Sequence, residues 1–142
     1  MKKNYLTIAV IVAAFVLFAG CAKKDSTKEM KKCLVDGVTL ELNGQIEKAV
    51  EKYAEGYRIY DSIPSDKRNF EQWETGIYFQ YLLQIISAED FAKNAYNVTK
   101  TKILSSKDMT DVQKADFIAL LSEDAFLPKS RTDVLNALSK QK

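Results

Sequence analysis

Between residues 46 and 60, apolar and aromatic side chains recur as Ile46, Ala49, Val50, Tyr53, Tyr57 and Tyr60, at steps of three and four. In a helix those steps stack all six on one face. That face must be laid against something, and the rest of the chain offers more helices. No period-2 alternation runs long enough to specify a strand.

Start and stop signals divide the remainder. Ser26 followed three residues later by Glu29 predicts a helix start, with the stripe Met30, Cys33, Leu34, Val38 and Leu42 and a stop at Gly44. Pro64 ends the 46–60 helix, because the residue before a proline avoids helical geometry. Asn69 with Gln72 predicts the start of a third helix burying Phe70, Trp73, Ile77, Tyr81, Leu82 and Ile85. Ser87, ahead of Glu89 and Asp90, opens a fourth with Ala88, Phe91, Ala92, Ala95 and Val98 inward, and Ser105-Ser106 closes it. Thr110 with Gln113 begins a fifth, with Val112, Ala115, Ile118, Ala119 and Leu121 inward. After Pro128, Ser130 caps a last one carrying Val134, Leu135 and Leu138. The expected fold is all-α: about six antiparallel helices, packed as hairpins in a small solenoid or bundle.

The chemistry available to such a chain is restricted. Its 142 residues contain no histidine, which removes His-dependent triads, His general bases and His-ligated metals. There is no G-x-S-x-G elbow, no Gly-rich phosphate loop and no EF-hand spacing. Glu89-Asp90 and Glu123-Asp124 read as a helix-start pair and a solvated face. The chain is expected to be neither an enzyme nor a metal or cofactor binder.

The N-terminus carries an address. Lys2 and Lys3 precede a nearly unbroken apolar run over residues 5–18, the form of an export signal. Leu17-Phe18-Ala19-Gly20-Cys21 follows, and it resembles the lipobox of bacterial lipoproteins, with Phe18 where a smaller aliphatic residue is commoner. The resemblance implies cleavage between Gly20 and Cys21 and a covalent lipid, the diacylglyceryl and palmitate-type chains of such proteins, on Cys21. Several acyl chains make a lasting anchor, at about 0.8 kcal/mol per buried CH₂. The domains are then a signal peptide over 1–20, a lipidated polar tether over 21–28 and a helical domain over 29–142. With Ala22 after the cysteine, the outer membrane of the bacterial envelope is the expected location. Loss of residues 1–20 removes two lysines and no acidic residue, so the formal net charge of +2 falls to zero. That leaves no electrostatic case for nucleic acid. With Cys21 acylated, Cys33 has no disulfide partner; its place on the Met30–Leu34 stripe favours a small core residue over a reactive thiol.

Inside the helical region, residues 33–60 resemble one tetratricopeptide repeat through Gly37, Leu40, Ala49 and Tyr53, with Gly44 at the turn and Gly56 one turn beyond Tyr53. Cys33 and Asp36 depart from the consensus, and Pro64 falls three residues late. A second copy at an offset of 39 pairs Gly37 with Gly76 and Ala49 with Ala88 but puts Leu83 at the turn. The resemblance implies repeat packing through Gly37, Leu40, Gly44, Ala49, Tyr53 and Gly56, and a surface that holds partner segments. Tyr78 and Phe79, off the main stripe of the third helix, are the expected exposed contacts. The expected role is that of a membrane-anchored adaptor binding an envelope protein. The alternative is a lipoprotein that holds a small ligand or lipid for a membrane transporter.

Overall fold

The computed structural model describes residues 25–141, and among these the chain is all-α, with six helices and no strand. They are α1 (Ser26–Leu42), α2 (Ile46–Ser62), α3 (Phe70–Leu82), α4 (Ala88–Leu104), α5 (Asp111–Leu120) and α6 (Arg131–Ser139), with 3₁₀ turns at Ser65–Lys67 and Glu123–Phe126.

Most of the boundary signals act as the sequence predicts. Asn69 and Thr110 each form a complete capping box, with Gln72 and Gln113 reaching back to the cap backbone. Ser87 and Ser130 accept hydrogen bonds from the Asp90 and Asp133 amides. At α1 the cap is one residue earlier than expected: the Asp25 carboxylate accepts from the Thr27 and Lys28 amides. Its negative charge also suits the positive end of the helix.

Helices α1 and α2 form the most extensive helix pair, α3 and α4 form a second hairpin, and α3 touches both α1 and α2. The two hairpin turns share one geometry. The Gln45 amide donates to the Leu40 carbonyl and the Gly44 amide to Glu41; the Ile85 amide donates to Gln80 and the Gln84 amide to Tyr81. Both are Schellman turns, needing one left-handed residue. Gly44 takes that conformation at φ 80°, and Gln84 takes it at φ 58°.

The main core joins α1, α2, α3 and α6 through Met30, Leu34, Val38, Tyr53, Tyr60, Phe79, Leu82 and Leu135, among others. A smaller core lies between α3 and α4 around Ile77, Phe91 and Val98. The last helix returns to pack on the first, so the array is closed by its own C-terminus. Before α5, four apolar positions expected inside are exposed instead: Leu42, Ile46, Trp73 and Ile85. Leu42 ends α1, Ile46 opens α2, Ile85 lies in the second hairpin turn, and Trp73 stands in the first turn of α3, at its exposed N-terminal end.

The largest departure is α5. None of its residues is buried, and Val112, Phe117 and Leu120 are 70%, 50% and 83% exposed. Its start signal is correct, yet the inward stripe predicted for it meets little beyond a narrow contact with α4. Helix formation here rests on the capping box and local propensity rather than on burial.

Candidate functional site

The residues expected at the helix crossings come together. An added Cβ on Gly37 would collide with the Tyr53 ring, so α1 and α2 meet ring-on-backbone. Ala49 and Tyr53 are fully buried, and Leu40 packs partly buried against them. The next interface uses the same device in both directions: the Phe79 ring of α3 lies over Gly56 of α2, and the Tyr60 ring of α2 lies over Gly76 of α3.

That exchange corrects one expectation. Phe79 is not an exposed contact but a fully buried knob, because Gly56 leaves a hole that only a ring from α3 fills. The signal was present in the spacing. Gly56 and Tyr60 are four apart and Gly76 and Phe79 three apart, so each helix offers a hole and a knob on one face.

Tyr78 behaves differently. It is half-buried beside Phe91, with ring centroids 5.3 Å apart, and forms part of the wall of a cavity of about 440 Å³ between the second hairpin and the C-terminal segment. Ile77, Phe91 and Ala95 form the hairpin side, while Phe126, Leu127 and Val134 form the other. Burial, and then the nearby Glu74 carboxylate, push the Tyr78 hydroxyl above its ordinary pKa. It therefore stays protonated, able to donate or accept a hydrogen bond. Glu74 and Asp133 also line the cavity, and among the described residues no lysine or arginine does. Glu74 has a half-exposed partner outside, Lys102 at 3.8 Å.

A buried polar cluster, not anticipated from the sequence, fixes α6. Glu41 accepts from Arg131 Nε at 2.6 Å and Nη2 at 3.0 Å, and from the Tyr53 hydroxyl at 2.7 Å. The Glu41 side chain is only 9% exposed, so the bidentate guanidinium and the phenol replace the water it loses. Burial, with the Glu41 hydrogen bond adding to it, raises the Tyr53 pKa and keeps the phenol a donor. Residues 90 positions apart are joined this way, which no local pattern could announce.

Cys33 is buried and unbonded. Loss of hydration, followed by the Glu55 carboxylate, pushes its thiol up to about 11, which makes it inert at neutral pH. Among the described residues no group of three Cys, Asp or Glu is placed to hold a metal ion, and no helix is long and apolar enough to cross a membrane. Gly20 and Cys21 lie outside the described residues, as does the whole signal segment. No family model, curated protein or solved structure shows significant similarity to the chain.

Proposed function

We propose that this chain is a lipid-anchored envelope lipoprotein whose helical domain is a non-enzymatic adaptor, docking another protein on its C-terminal arm. The observation that carries the docking surface is α5: ten residues with none buried and three large apolar side chains facing solvent. Exposed apolar side chains grouped on one short element mark interaction surfaces. Residues 111–124 contain four acidic residues and one lysine. The occupant that fits is an amphipathic segment with an apolar face and basic flanks, held by burial and steered by charge. The lipobox-like residues Leu17 to Cys21 supply the anchor in this reading. The tetratricopeptide-like likeness is supported by the ring-over-glycine crossings and by α3 touching both helices of the preceding hairpin. Because α6 already lies on α1, the docking surface is placed on α5 rather than in the groove that such repeats use.

In-cell crosslinking and affinity capture of the full chain tests this, beside Cys21→Ala and the double variant Phe117→Glu/Leu120→Glu. One stoichiometric envelope protein is expected, weakened by release from the membrane and lost in the double variant with the fold intact. Capture that survives the double variant would remove α5 from the reading.

A second reading, a small-ligand receptor, is favoured by the cavity beside Tyr78, whose size falls within the ~300–1,000 Å³ typical of ligand sites.

A further inference from the structure

We infer that the cavity between α3, α4 and the C-terminal segment is a binding site for a small organic cation: an amine carrying an aromatic or alkyl body. The inference deepens the second reading above and is independent of docking on α5.

Shape and charge both point this way. The cavity holds about 440 Å³, room for a compact organic molecule rather than a folded segment. Its walls are apolar and aromatic on both sides, with Tyr78 and Phe91 from the hairpin facing Phe126 from the 3₁₀ turn. Aromatic faces attract a cation as well as an apolar body. The formal charges on the wall are all negative: Glu74 comes from α3 and Asp133 from α6, on different sides of the space. The Asp133 amide is satisfied by its helix cap, Ser130, and among the described residues no ion pair engages its exposed carboxylate. An anion would meet two carboxylates, offset among the described residues only at Glu74, by Lys102 outside the lining. A neutral ligand would make no use of the two carboxylates, of which Glu74 faces Lys102 outside the cavity and Asp133 is open to solvent. An ammonium can be solvated by Glu74, Asp133 and the Tyr78 hydroxyl while its body fills the space between the rings.

The probe is 4-phenylbutylamine, titrated calorimetrically into the full chain in lipid nanodiscs, with empty nanodiscs as the blank. Its neutral and anionic counterparts are 4-phenylbutan-1-ol and 5-phenylpentanoate. The amine should bind at least ~10-fold more tightly than either, the size of one charge-assisted contact. Glu74→Gln/Asp133→Asn should erase that preference while leaving the alcohol's weak binding in place. Ala95→Trp, which fills the cavity, should abolish binding of all three with the helical circular dichroism unchanged. Equal affinity for the three probes, no heat with the amine, or amine binding that survives Ala95→Trp would each overturn the inference. Should Ala95→Trp not fold, the double neutral variant still decides it. Failure here leaves the Phe117→Glu/Leu120→Glu capture result untouched, so the two readings fail separately.

Discussion

A methyl group added to Gly56 or Gly76 would fall inside a neighbouring aromatic ring, Phe79 or Tyr60. A glycine inside a helix costs about 1 kcal/mol relative to alanine, so Gly→Ala gains propensity at both sites while forcing the rings out of place. Overpacking typically costs ~1–3 kcal/mol, and the rings cannot retreat because both are buried. Gly56→Ala and Gly76→Ala should therefore each lower the urea midpoint. Gly44→Ala meets no atom within 4 Å and loses only through its φ of 80°, about 1–2 kcal/mol. Cys33 has a consequence in pH. Its ordinary value is 9.0 and the folded value about 11, so above pH 9 the unfolded chain releases this proton first. The contribution is fully present below pH 9 and is lost as pH rises toward 11, at about 1.4 kcal/mol per unit. Denaturant titration at pH 8, 9 and 10 should show that decline, and Cys33→Ala should make it shallower, leaving the part that the raised Tyr53, Tyr60 and Tyr78 hydroxyls contribute near pH 10.

At the scale of the element, the six helices differ in what holds them. Helices α2 and α3 are locked by reciprocal knobs, while α5 has only its capping box and a narrow contact. Amide hydrogen exchange should rank them so, with 111–120 exchanging near the rate of local opening and the middle of α2 near that of global unfolding. Phe117→Glu/Leu120→Glu should shift stability by no more than about 0.5 kcal/mol, as exposed substitutions do. Leu135→Ala, in the core, should cost ~2–5 kcal/mol. Element existence was legible because caps are local: Asn69, Ser87, Thr110 and Ser130 announce themselves within four residues. The second hairpin turn was obscured because Gln84 adopts a conformation that usually requires glycine. The inward face of α5 was misread because periodicity reports an amphipathic stripe, not whether anything lies opposite it. The cavity was illegible for a related reason: its lining comes from residues 74–137, and no spacing rule joins them.

On the scale of the whole molecule, α6 is a clasp. It carries Val134, Leu135 and Leu138 into the main core and is pinned by Arg131 to Glu41. Arg131 is about one-third exposed, so solvent screening holds the cost of Glu41→Gln to about 1–2 kcal/mol. The larger effect should be positional: exchange across 131–139 should quicken while α2 and α3 keep their protection. Phe79 and Tyr60 seated over Gly56 and Gly76 also restrict how the molecule can respond to whatever it binds. Rings meshed with notches behave like gear teeth. A slide of one helix along the other would drive a ring into a residue that has a side chain, so gliding between α2 and α3 is forbidden. Any movement that accompanies binding then has to arise at interfaces other than this one, with α2 and α3 shifting together as a single post.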